Sequence, residues 1–299
     1  MPAVTPTAST AARGEVALRP VEPDDAAECA RIIFEAFGAI HDHHQFQRDF
    51  PTLEAASGLL GMFIQHPMIW GVVAEIDGRI VGSNFLDERG PIRGLGPITV
   101  APDGQNAGVG RKLMQAALER GERAPGVRLL QDAFHLRSLS LYESLGFDVK
   151  EPVALASGKP RSGPDPAIQV RPLEERDLDE CEGLCQSVHG YERTNELRDA
   201  LQAFSPFVAV RDGRITAYAA SVTFWPMNHG VAESEEDTKA LLRGAGEAVD
   251  GPLALLVPLR YGLFRWCLEE GLRLIKPMNL MALGDYQEPH GGWFPSVLY

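Results

Sequence analysis

The stretch VAPDGQNAGVGRKLMQ (Val100–Gln115) sets glycines at 104, 108 and 110 between an apolar segment, IRGLGPITV, and a helical pattern that begins at Gly108. Amides at the start of a helix have no partner within it, and the helix dipole is positive there, so such a turn favours an anion. Glycine lets the backbone approach a group as bulky as a diphosphate. A P-loop needs Gly-Lys-Ser/Thr, where this chain has Gly110, Arg111 and Lys112; the Gly-x-Gly-x-x-Gly of dinucleotide folds is missing too. A second constellation is HDHH, His41 to His44, read as a polar segment between the first two helices, where a histidine could relay a proton near neutral pH. Neighbours two apart in a loop rarely converge on one metal ion, so no metal is expected. Cys181, Cys185 and His189 fall at i, i+4 and i+8 of a helix, but Leu178, Leu184 and Val188 share that stripe, which therefore reads as core.

Positioning these residues takes two similar sets of elements. VALRPVEPDDAAECARIIFEAFG from Val16 aligns with IQVRPLEERDLDECEGLCQSVHG from Ile168, sharing Arg19/Arg171, Pro20/Pro172, Glu22/Glu174, Asp25/Asp177, Glu28/Glu180, Cys29/Cys181 and Gly38/Gly190. Each predicts a short strand, an acidic helix cap and an amphipathic helix. Further on, VVAEIDGRIVG is echoed by FVAVRDGRITA, both hairpin patterns around Asp-Gly. The first half continues with a strand near 92–100, the glycine loop, a helix to Arg120, then strand, helix and strand through LYESLGF to Ala156. The fold class this predicts is α+β (mixed α/β): two domains, each a central, mostly antiparallel sheet flanked by helices. The expected boundaries are a disordered tail over 1–14, domains over 15–156 and 168–299, and a Pro/Gly-rich linker over 157–167.

The chain has 299 residues, 28 basic and 41 acidic, for a formal charge of −13. This argues against nucleic acid or an anionic membrane as partner and suits a cationic acceptor such as an amine. Four scattered cysteines and no apolar run of membrane-spanning length point to a cytoplasmic protein.

Gln105-x-x-Gly108-x-Gly110 after a strand, with LYESLGF some thirty residues later, resembles the GNAT superfamily of N-acetyltransferases over about Val16 to Ala156. The resemblance implies acetyl-CoA as cosubstrate. Its diphosphate would lie on Gln105, Asn106, Gly108, Val109, Gly110 and Arg111, and its pantetheine arm along Ile98, Thr99 and Val100. His135 and Ser138 stand where the family often has Asn and Ala at the cofactor. Tyr142 matches the tyrosine that protonates the departing thiolate. The family often sets a glutamate base on its fourth strand, but GLGPITV has no carboxylate, which leaves Glu35, Asp87, Glu88 and the His41–His44 cluster as candidates. In the second half, Cys267 falls where Tyr142 stands, and SEEDTKALLRGAGEAVDG replaces the glycine loop with acids. That half reads as a degenerate GNAT-like domain that shapes the acceptor site, docks or dimerises. The expected activity is acetyl transfer to an amine, on a small molecule or a protein. The alternative is a non-catalytic acyl-CoA sensor.

Overall fold

The computed structural model describes residues 14–105 and 107–299; residues 1–13 of the expected tail and Asn106 of the glycine loop lie outside the described residues. The first half runs β1 (Ala17–Pro20), α1 (Ala26–His44), α2 (Leu53–Gln65), β2 (Ile69–Ile76), β3 (Arg79–Asp87), β4 (Arg93–Leu95) and β5 (Thr99–Val100). It continues through α3 (Val109–Arg120), β6 (Gly126–Asp132), α4 (Leu136–Glu143) and β7 (Asp148–Gly158). The second half runs β8 (Gln169–Pro172), α5 (Leu178–His189), α6 (Thr194–Ala203), β9 (Phe207–Arg211), β10 (Arg214–Ala219) and β11 (Gly230–Ala232). It ends with α7 (Glu235–Ala248), β12 (Leu253–Pro258), α8 (Gly262–Glu269), β13 (Arg273–Gly284) and β14 (Gly292–Phe294).

The duplication is visible in identical local chemistry. Arg19 Nη1 meets Asp25 Oδ2 at 2.6 Å, and Arg171 Nη1 meets Asp177 Oδ2 at 2.6 Å. Each aspartate also accepts from the amide of the preceding glutamate, Glu22 at 2.8 Å and Glu174 at 2.9 Å, closing a capping box. The two Asp-Gly turns match as well, with φ of 50° and 74° at Asp77 and Gly78 and 51° and 76° at Asp212 and Gly213. Paired positive φ values are what a two-residue hairpin turn needs, hence the residue choice. The halves part company at Gly38 and Gly190. Gly190, at φ 82°, terminates α5, whereas Gly38 lies inside α1, which continues to His44 and stops at Gln45, φ 59°. The HDHH segment is therefore the last turn of a helix, which corrects its placement in a connecting loop.

Two compact units result. The first, residues 14–86 and 97–122, carries an antiparallel set in which β1 pairs β2 and β5 pairs β3, with Val72, Ala74, Val81 and Leu113 among its buried core. The second, residues 87–96 and 123–299, holds two sheets. One has the order β4-β6-β13-β7-β12, parallel only between β4 and β6; the other is antiparallel, in the order β14-β11-β10-β9-β8. Strand β13 of the second half thus lies between β6 and β7 of the first, with Met278 opposite both Asp132 and Val153. Strand β7 in turn lies between β13 and β12. Among the described residues, no helix is long and apolar enough to cross a membrane.

Candidate functional site

The segment expected as one strand over 92–100 is two. It breaks at Gly96, φ 132°, and Pro97, so β4 pairs with β6 while β5 pairs with β3. Pro97 has no N–H to offer a ladder, and few residues but glycine adopt a φ of that kind. The side chains of β5 and its approach are structural. Ile98 and Val100 pack on the apolar core, and the Thr99 hydroxyl pairs with that of Ser83 at 3.2 Å. A 3-10 turn over Pro102–Gly104 follows, closed by Gly104 N–H donating to Ala101 C=O at 2.9 Å. Gly108 then turns the chain into α3 at φ 77°, where an added Cβ would meet nothing within 4 Å, so glycine serves conformation there and not packing. Among the described residues no side-chain cap is seen at the Gly108 N-cap of α3, its first turn has no acid, and Arg111 and Lys112 stand in it. Val109 is buried in the core, Gly110 is half-buried, and Lys112 Nζ donates to Val16 C=O at 3.1 Å. Uncapped amides, a positive dipole end and basic neighbours fit an anion the size of a diphosphate.

The second half builds the opposite at α7. Ser234 caps it by accepting from Asp237 N–H at 3.2 Å, and Glu235, Glu236 and Asp237 fill its first turn. Among the described residues β5 pairs only with β3, but β11 is paired by β14, so the segment carrying Trp293 and Phe294 forms a strand of the second half's own sheet. Gly292 presses so closely on the start of α7 that a Cβ would stand 2.1 Å from Thr238 Oγ1. Gly244 and Gly246 are buried in α7; a Cβ on Gly244 would lie 2.4 Å from Val170 Cβ.

Tyr142 lies in the second unit, on α4, buried and tilted against Phe147 at 6.3 Å. Burial, and after it the negative charge of Asp132, hold its hydroxyl above the ordinary tyrosine range, so it stays protonated at any working pH. His135 and Ser138 shape the turn beneath it. The Ser138 hydroxyl donates to His135 C=O at 2.9 Å and accepts from Gln131 Nε2 at 3.1 Å, and Gln131 Oε1 accepts from Asn279 on β13 at 2.9 Å. Two residues that the sequence did not single out stand here as well. Lys276 Nζ lies 2.7 Å from Asp132 Oδ1, a close charge contact and not an aligned hydrogen bond. Nothing in VRLLQDAF or LRLIKP marks the two as partners.

Several base candidates are otherwise engaged. Glu35 is exposed and paired with Arg31 at 2.6 Å, and Asp42 pairs with Arg48. Asp87 is buried and gripped by Arg89 at 2.6 Å, whose other arm reaches Asp199 on α6 at 2.9 Å. His43 and His44 are exposed. His41 is fully buried: its Nδ1–H donates to Phe37 C=O at 2.8 Å, and Nε2 stands 3.4 Å from Asp49. Cys181 and Cys185 join one apolar core with Leu184 and Val188, as the stripe implied, and burial pushes the Cys185 thiol up to about 11.

The acetyltransferase (GNAT) domain matches residues 68–149. No curated protein sequence matches the chain. In structure the chain is similar to a Pyrococcus horikoshii protein provisionally classed as an acetyltransferase, at TM-score 0.75 and 14% identity, over 96% of this chain and 95% of that one. It is also similar to a GCN5-related N-acetyltransferase from Sphaerobacter thermophilus, at TM-score 0.60 and 16% identity, over 92% and 97%. A third is a tandem GNAT protein from the clavulanic acid biosynthesis pathway, at TM-score 0.58 and 13% identity, over 91% and 100%. Likeness at such identities is one of fold. Residues 68–149 thus match the acetyltransferase (GNAT) domain, and the chain as a whole shares the fold of these structures, one of them a tandem GNAT protein.

Proposed function

We propose that the protein transfers an acetyl group from acetyl-CoA to an amine, with one working site per chain, in the first half. The observation that carries this reading is the contrast between the two helix starts: α3, uncapped and basic behind Gly108, and α7, capped by Ser234 and acidic. An acid-rich start repels a diphosphate that the other attracts. Main-chain groups of Ile98, Thr99 and Val100 would hold the pantetheine arm, and one of their N–H groups would receive the developing oxyanion. Gln105, Asn106, Gly108, Val109, Gly110 and Arg111 would hold the diphosphate. His135 and Ser138 act here by shaping the turn that carries Tyr142, the proton donor to the leaving sulfur. A phenol kept neutral by burial suits that task.

The test uses the purified chain, acetyl-CoA, and a panel of small amines and peptide N-termini, with thiol detection and mass spectrometry of the products. We expect one acetyl-CoA per chain by calorimetry and amine-dependent thiol release. Tight binding with no thiol release across the panel would refute transfer and leave an acyl-CoA sensor.

A further inference from the structure

The transfer reading leaves two buried charges beside Tyr142 without a task. Lys276, on β13, has a fully buried side chain, with Nζ 2.7 Å from Asp132 Oδ1 and 5.1 Å from the Trp225 ring. Asp132 ends β6, its carboxylate only 10% exposed. The main chain fixes the pairing: Met278 is in register with Asp132, and Ala133 N–H donates to Pro277 C=O at 3.1 Å. The carboxylate's field reaches the Tyr142 hydroxyl. A carboxylate at the carboxyl end of a strand is therefore paired with a buried ammonium and acts by its charge on the phenol.

Stability gives a poor reason for such a pair, because apolar side chains of similar volume generally serve a core as well or better. A carboxylate and an ammonium held beside a candidate proton donor are instead candidates for proton chemistry. Resting on the transfer reading above, we propose that Asp132 takes the proton of the incoming ammonium. Lys276, delivered by the second half's inserted strand, is the positioning residue that holds this carboxylate beside Tyr142. The acceptor R–NH3⁺ gives one proton to Asp132. Its nitrogen lone pair forms the C–N bond to the thioester carbon, and the C–S bond breaks with its electron pair on sulfur. Sulfur takes the Tyr142 hydroxyl proton, the phenolate regains one from the acylated nitrogen, and Asp132 releases its own to solvent. The balance is one amide, one thiol and one proton.

Either single neutralisation, Asp132→Asn or Lys276→Met, removes one charge of a buried pair and unbalances the other, so the decisive protein is the full chain carrying both. We expect this double variant to keep its thermal midpoint within a few degrees and its acetyl-CoA affinity within threefold, while kcat falls on the order of a hundredfold, as for a lost general base. Its kcat/KM should rise tenfold per pH unit up to the acceptor's own pKa, because only the free amine then reacts. Lys276→Arg, which keeps a cation, should stay within tenfold of wild type. A folded double variant with wild-type kcat and pH profile would overturn the assignment. If the double variant does not fold, Asp132→Glu, which keeps both charges and shifts the carboxylate by one methylene, decides: lower kcat at unchanged affinity supports the assignment, and unchanged kcat overturns it. A wild-type chain with no amine-dependent thiol release is a separate result, which removes the transfer reading and this assignment together.

Discussion

Gly108 offers a test in which stability and affinity move in opposite directions. Its φ of 77° is a left-handed conformation, and a Cβ there would meet nothing within 4 Å. Gly108→Ala therefore costs conformational strain alone, about 1–2 kcal/mol. Gly108→Asp carries the same strain, but its carboxylate at the positive end of α3 recovers roughly 0.3–1 kcal/mol. The aspartate variant should thus be the more stable of the two. For a bound diphosphate the order reverses. A carboxylate about 5 Å from one phosphate charge, at an effective dielectric constant of about 20, costs about 3 kcal/mol, or a loss of affinity on the order of a hundredfold. Calorimetry with acetyl-CoA and urea unfolding of both variants give the two rankings. If Gly108→Asp bound acetyl-CoA as tightly as Gly108→Ala, no diphosphate would rest on this turn.

Tyr142→Phe keeps the packing against Phe147 and loses the proton donor; acetyl-CoA affinity should hold while turnover falls by roughly ten- to a thousandfold, and unchanged turnover from pH 6 to 9 would make the hydroxyl structural. Burial, then the charges of Arg193 and Arg128, lower the His189 ring to about 3 from its ordinary 6.5. The unfolded chain therefore binds the proton first: the ring's contribution is intact above pH 6.5 and is lost as pH falls toward 3, about 2 kcal/mol of it by pH 5. Urea midpoints at pH 7.5 and 5 should fall less for His189→Phe than for wild type, and equal losses would refute this. A fragment of residues 1–160 lacks β13, the strand between β6 and β7, and should not fold; a monodisperse fragment with a cooperative thermal transition would contradict that.

What could be read from the sequence was local. The acidic helix caps at Asp25 and Asp177, both Asp-Gly turns and the helix start at Gly108 each depend on residues a few positions apart, whose chemistry admits few conformations. What escaped depends on distance along the chain. An apolar strand such as LRLIKPMNL pairs equally well with many others, so nothing in it announces a seat between β6 and β7, or brings Lys276 to Asp132. Gly38 misled for a different reason. Its alignment with Gly190 concealed a difference: Gly190 ends α5, while α1 passes through Gly38, beneath the Arg48 guanidinium, and runs on to His44.

The place of β13 imposes a schedule on biosynthesis. When β7 is complete at Gly158, the strand that must separate it from β6 has not been made, and it is not complete until Gly284. At ordinary ribosomal speeds that interval is on the order of ten seconds. During it, β6 and β7 wait with unsatisfied main-chain edges, and the easiest mistake is to pair with each other. Such a premature sheet would have to reopen before β13 could enter. Slowing elongation after Gly158 should therefore lower the yield of native protein instead of raising it.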